Sequence, residues 1–166
     1  MKLALTDAAA LFVHFNARAE IHGEETEAAG DIQFKFDLPN DRLADFHPDL
    51  KGVLYFKDPS RAETDDLANA GLDAPHLRFQ KMVLPLRFSN EMVGATIKIN
   101  KGTGKPLTIK DAKVNDFRIT PKEGGTIELR VRVQTHPSES QSGALCGMIK
   151  HEVRVTIEPA AEEAPA

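Results

Sequence analysis

One cysteine, Cys146, stands in 166 residues. No disulfide can close within the chain, and no zinc site built on two cysteines can form within it. A reducing interior such as cytoplasm suits such a chain. Tryptophan is absent and Tyr55 is the only tyrosine, so the aromatic platforms on which single-strand binders stack bases are scarce. No apolar run approaches the roughly 18 residues of a membrane span. The opening "MKLALTDAAALFV" has a lysine followed by apolar residues. Asp7 interrupts that run and the residues after it alternate, so a strand is expected there and not a signal peptide. No internal repeat is present, and no long helical pattern separates the apolar stretches, which disfavours a doubly wound α/β fold.

Charge is present in quantity but unevenly. The net charge is −4. Residues 1–75 hold 7 Lys+Arg against 15 Asp+Glu, and residues 76–166 hold 14 against 10. Between 98 and 122 there are seven basic residues and two acids. This balance leaves room for a basic local surface on an acidic protein.

The dominant pattern is alternation. In "LFVHFNARAEIH" the residues Leu11, Val13, Phe15, Ala17, Ala19 and Ile21 share one face, with Phe12, His14, Asn16, Arg18, Glu20 and His22 on the other. "DIQFKFD" repeats the device with Ile32, Phe34 and Phe36 inward, across a polar loop "GEETEAAG". Asn40 predicts a cap for a short helix over Asp41–Phe46 ending before Pro48, and "GVLYF" reads as a short buried strand. Ser60 and Glu63 have the spacing of a capping box for a helix Arg61–Ala70. "MVLPLRF" carries Pro85, a mark of an edge or a bulge. "VGATIKIN" places Val93, Ala95, Ile97 and Ile99 on one face, and "PLTI" returns with Leu107 and Ile109 inward. The phase then slips between Val114 and Phe117, which predicts a bulge or bend within Lys110–Asp116. "EGG" (Glu123–Gly125) predicts a hairpin turn into "TIELRVRVQ", with Ile127, Leu129, Val131 and Val133 inward. One or two helical turns capped by Ser138 are expected before a last strand with Val153, Val155 and Ile157 inward. The expectation is a mainly β chain. It is an antiparallel β-sandwich or open barrel of roughly eight strands with two or three short helices, a single domain over 1–158 and a flexible acidic Pro/Ala tail over 159–166.

Candidate chemistry is sparse. "INKGTGKPLTI" contains Gly-Thr-Gly-Lys, but Ile99 stands where a phosphate loop needs its first glycine, and Pro106 stands where it needs a hydroxyl. The stretch reads instead as a hairpin tip, Asn100–Lys105, with Gly102 and Gly104 supplying positive φ. Glu20, His22 and Glu24 could ligate a metal with a further group from elsewhere. His14 cannot join them, since eight residues of strand put it about 26 Å from His22. The structural alternative is a solvated strand face ending in an acidic loop. Cys146 lies in apolar "GALCGMI", which reads as inert packing. No Gly-x-Ser-x-Gly elbow is present, and His-x-Glu without a downstream cysteine pair does not make a zinc deaminase. No catalytic residues and no cofactor emerge. The lean is away from an enzyme. For nucleic acid, the candidate contacts are Lys98, Lys101, Lys105, Lys113, Arg130 and Arg132, with Phe12 and Phe117 as the only phenylalanines placed to stack. Asp111, Asp116 and Glu128 are interspersed among the bases, as in a merely solvated face.

Three stretches carry a resemblance: "HGEE" after the first strand, "LPNDRLADFHPDLKGVLYF", and "GGTIELRVRVQTHPSESQSGAL" ahead of the last strand. The chain resembles small proteins of unknown activity encoded by bacteriophages and prophages. The resemblance implies the cytoplasm of a bacterial host cell, and accessory roles in DNA metabolism or against host defence. It brings no catalytic residues. The leading expectation is a non-catalytic protein that binds single-stranded nucleic acid through its basic strands. A protein-interaction module, such as an inhibitor of a host system or a small homo-oligomer, would instead use Glu24, Glu25, Glu27 and the segment Asp41–Asp49. A metal-dependent enzyme around Glu20, His22 and Glu24 is the third reading. No membrane partner is expected.

Overall fold

Alternation of apolar and polar residues puts a row of hydrophobic side chains on one face of every strand, and a curled sheet can bury such rows by closing on itself. The chain does so. A computed structural model describes residues 1, 3–58, 74–81 and 85–161, with the side chain of His22 left aside. It contains β1 (Leu5–His22), β2 (Glu25–Pro39), β3 (Tyr55–Phe56), β4 (His76–Leu77), β5 (Leu86–Phe88), β6 (Met92–Asn100), β7 (Leu107–Lys122), β8 (Thr126–Thr135) and β9 (Glu152–Glu158). A 3-10 turn spans Asn40–Asp45, α1 spans Leu50–Leu54 and α2 spans Glu139–Cys146. The expected helix Arg61–Ala70 and its Ser60 cap lie outside the described residues, as do 82–84 and 162–166. Among the described residues, no helix is long and apolar enough to cross a membrane.

Six strands form a ring in the order β7, β6, β9, β1, β2, β8, and β8 pairs back to β7. The architecture is therefore an antiparallel barrel, one of the two forms expected from sequence, closed where an open one was expected; the sandwich is corrected. Closure depends on β7, whose sixteen residues serve several partners. Its Leu107–Val114 half pairs with β6, its Phe117–Ile119 part pairs with β5, and Lys113–Lys122 pairs with β8. Two aspartates bend it, Asp111 at φ 54 and Asp116 at φ 51. Aspartate tolerates this left-handed conformation better than most residues. The slip of phase expected within Lys110–Asp116 is thus real, and it shows as a register shift against β8 between Asn115 and Arg118.

The lumen is filled. Phe12, Phe34, Phe36, Ile97, Ile99, Val114, Phe117, Ile119, Ile127, Leu129, Val133, Val155 and Ile157 are fully buried. Phe34 meets Phe12 edge to face at 5.3 Å and Phe36 at 6.0 Å, a favoured arrangement of ring quadrupoles. Phe12 and Phe117 are accordingly core residues, and neither can stack a base. The reason for Phe12 is a bulge in β1. The register against β2 skips between Phe12 and His14, so Ala10, Phe12 and Phe15 point inward while Leu11 and Val13 are only partly buried. Val93 likewise turns out, 66% exposed, because Gly94 at φ 76 lets β6 shift register and Met92 takes the inward position.

The ends of the barrel are closed by short elements. Asn40 does not cap with its side chain; its amide nitrogen donates to the Ala74 carbonyl at 2.8 Å. Gly52–Leu54 belong to α1, leaving only Tyr55 and Phe56 as strand. The Tyr55 hydroxyl lies 2.9 Å from the carbonyl oxygens of both Lys122 and Thr126 and accepts the Lys122 N–H at 3.0 Å. Burial pushes its pKa up to about 12. At the other end Ser138 caps α2 in a full capping box with Gln141. Leu145 and Met148 are buried there and Cys146 is exposed, which corrects its assignment to the core.

One part of the fold leaves the barrel. β9 and the segment before it pair with β1 no further than Phe12, and β8 pairs with β2 only from Gly30 onward. Beyond these points β1 and β2 continue as a two-stranded arm closed by the turn Gly23–Glu24, with Gly23 at φ 68. The expected loop "GEETEAAG" is therefore mostly strand. Ala17, Ala19, Ile21, Thr26 and Ala28 on the arm are exposed, Ile21 by 76%.

Candidate functional site

The outer wall of the barrel carries the polar half of each alternation, so its chemistry is set by register. Arg87 of β5 lies opposite Arg118 of β7, Arg118 opposite Arg130 of β8, and Arg130 opposite Lys35 of β2. Four cationic side chains therefore cross four neighbouring strands in one line. With strands about 4.8 Å apart, the line is roughly 14 Å long. Like charges directly opposite each other destabilise a sheet unless counter-charges sit beside them.

Part of the repulsion is offset locally. Arg118 grips the Asp116 carboxylate with two nitrogens, at 3.2 and 2.9 Å; the left-handed backbone of Asp116 and the bulge place that carboxylate beside the row. Arg130 donates to Glu128 at 2.8 Å, and Lys35 and Lys122 lie 3.8 and 3.5 Å from the same carboxylate. Burial alone would raise the Glu128 pKa. The hydrogen bond from Arg130 and the charges of Arg130, Lys35 and Lys122 outweigh it and hold the group below its ordinary value. Arg87 is exposed and has no ion-pair partner among the described residues.

One step along the strands, Arg132 lies opposite both Gln33 and Asn115 and donates to the Asn115 side-chain oxygen at 2.9 Å. Buried Asn115 in turn donates to Gln134 at 2.9 Å, which fixes the guanidinium. Two recesses share Asp116 and Arg132. One, of about 50 Å³, lies among Val13, Gln33, Arg118 and Arg130. The other is an open trough of about 440 Å³ bounded by Arg87, Phe88, Ser89 and Glu91. A hydrogen bond from Lys113 holds Glu91 below its ordinary pKa, with help from the charges of Lys113 and Arg132.

The lowered carboxyls give stability a sign. A depressed pKa in the folded state contributes stability above the unfolded value, and that contribution is lost as pH falls through the folded value. The melting temperature is expected to be flat from neutrality to about pH 5 and to fall below about pH 4.3, the ordinary glutamate value. Glu128→Gln is expected to flatten part of that fall; thermal melts over a pH series read it.

The residues chosen from sequence fall in three places. Lys98 pairs with Glu158 at 2.6 Å, Lys101 donates to the Gly147 carbonyl at 2.8 Å, and Lys105 is exposed at the hairpin tip. These lie on the β6 side of β7. Lys113, paired with Glu91 at 2.8 Å, lies on β7 itself, and Arg130 and Arg132 lie on β8. Of the chosen residues only Arg130 and Arg132 belong to the cationic row and its flank; Arg118 lies in the basic stretch 98–122 but not among the chosen contacts, and Arg87 and Lys35 stand outside both. The hairpin tip is as expected, with Gly102 at φ 126, Gly104 at φ 107, and the Gly102 N–H bonded to the Asn100 side chain at 2.9 Å. The Glu20 carboxylate accepts from Arg18 and lies 3.3 Å from a His136 ring nitrogen. Among the described residues, no three His, Cys, Asp or Glu groups converge as for a metal ion; Glu24 is exposed at the turn, and the His22 side chain is outside the description. No protein-family model, no curated protein sequence and no solved structure matches the chain.

Proposed function

We propose that the protein is a non-catalytic binder of single-stranded nucleic acid, and that the row Arg87, Arg118, Arg130 and Lys35 with Arg132 beside it holds the phosphates. The supporting observation is the row itself: four cations in direct cross-strand register over about 14 Å, a costly arrangement that an anionic polymer relieves. Arginine favours that partner, because its planar fork matches phosphate oxygens two at a time. The trough beside Arg87 and Phe88 favours a single strand over a duplex, since only an unpaired base can turn into it. The basic hairpin at Lys98, Lys101 and Lys105 plays no part in this footprint. In the setting implied by the resemblance to phage and prophage proteins, the role is that of a DNA-metabolism accessory.

The test is a fluorescence-anisotropy titration of a labelled single-stranded oligonucleotide at low salt. Saturable binding supports the proposal. No change in anisotropy removes it and leaves a protein-directed role as the better reading.

A further inference from the structure

The arm formed by β1 and β2 beyond Ala17 and Gly30 is a ribbon of two strands: Ala29 is buried at its base and Glu20 lies beside His136, while Ala17, Ala19, Ile21, Thr26 and Ala28 are exposed. An isolated two-stranded hairpin is marginal in water. Its edges are not equivalent. On β2 the free stretch before Gly30 carries Glu25 and Glu27 and no basic residue, which repels a second acidic edge. On β1 the free stretch Ala17–Ile21 reads Ala-Arg-Ala-Glu-Ile, with no proline, glycine or lysine to blunt it. Among the described residues only β2 pairs with it.

That five-residue stretch is complementary to itself. Laid antiparallel against a second copy about a two-fold axis through Ala19, Arg18 faces the other copy's Glu20 and Glu20 faces its Arg18. Ala17 faces Ile21, and the two Ala19 residues face each other. Both ion pairs fall on one side of the new sheet and the small apolar residues on the other. Shifting the register by two residues in either direction sets like charges face to face, Arg18 against Arg18 or Glu20 against Glu20. Arg18 and Glu20 already hold each other on this face: the Arg18 guanidinium contacts Glu20, its Nε donates to Asp31 of β2 at 3.2 Å, and Glu20 lies 3.3 Å from a His136 ring nitrogen. A carboxylate has lone pairs enough to accept from arginines of both copies.

We propose that the chain forms a homodimer by antiparallel pairing of the β1 edges, Ala17–Ile21 to Ala17–Ile21, turning two marginal arms into one four-stranded ribbon. The interface is isologous and closed, so it stops at two copies. It is independent of the nucleic-acid row, which lies on other strands.

Sedimentation of the full-length protein over a dilution series tests it. A dimer that dissociates on dilution is expected. Ala19→Lys sets two ammonium groups face to face on the axis and is expected to give a monomer; Ala19 is exposed, so the barrel is untouched. Arg18→Glu turns two opposite-charge pairs into like-charge pairs and is expected to weaken the dimer at least about tenfold. Adding Glu20→Arg restores both pairs and the affinity. In a Cys146→Ser background, Ala19→Cys is expected to cross-link between copies on mild oxidation, because directly opposed Cβ atoms lie about 4.5–5.5 Å apart; Ala17→Cys is not. A wild-type monomer at every concentration, a dimer indifferent to Ala19→Lys, or equal cross-linking by both cysteines would overturn the proposal.

Discussion

Reversing the two central charges of the row, Arg118→Glu with Arg130→Glu, is expected to weaken oligonucleotide binding about 100-fold or more at low salt, since two phosphate contacts are lost and two repulsions take their place. Anisotropy titration measures it, with circular dichroism to confirm that the barrel is intact. Lys98→Glu is the control. Lys98 is paired with Glu158 and lies on the β6 side of β7, so its reversal is expected to change affinity by less than about threefold, as for other charges outside a contact region. The opposite outcome, with Lys98 dominant and the arginine pair neutral, would return the footprint to the basic hairpin that sequence composition suggested.

The second large effect concerns the lumen. Phe34→Ala removes a fully buried ring that packs edge to face on Phe12 and against Phe36. A loss of about 3–5 kcal/mol is expected, a large part of the roughly 5–15 kcal/mol typical of a folded domain. For a chain of this size the melting point should drop by about 6–20 °C. Phe79→Ala, at a position 52% exposed, should change stability by less than about 0.5 kcal/mol. Equal effects at both positions would mean that the aromatic rings do not support the barrel. Thermal or urea unfolding of the two variants decides it.

What could be read from sequence was whatever depends on local period. β8 and β9 are legible to the residue, because Ile127, Leu129, Val131 and Val133, then Val153, Val155 and Ile157, alternate without interruption and all are buried. The bend in β7 was legible as a slip of phase. The inward set of β1 was not, because a one-residue bulge near Val13 reverses the phase at one point, and an even-numbered phenylalanine in an odd-numbered stripe looks the same whether it is exposed or re-aimed. Barrel closure was out of reach for a different reason. It requires β7 to pair with β8 on one edge and with β6 and β5 on the other, and no local pattern encodes a third partner.

The site was half legible. Basic residues between 98 and 122 stand out by composition, yet composition cannot say which of them meet. Register can. From the turn Glu123–Gly125, Lys122 lies opposite Thr126, and four residues further along each strand Arg118 meets Arg130. That much was available from the turn alone. Arg87 and Lys35 join the line through pairings between segments far apart in the chain, which only the fold supplies. The arm was hidden because its residues alternate as well as any buried strand. Ala17 and Ala19 have the right period but too little bulk to fill a core, and Ile21 beside them is 76% exposed.

The central claim is that a line of cations across four strands grips a phosphate chain. Its most direct test is the salt dependence of oligonucleotide binding by the unmodified protein. Four phosphates neutralised on a single strand give a slope of log affinity against log salt of about −3. A slope near that value is the predicted result. Absence of binding at low salt, or an affinity that does not change with salt, would contradict it.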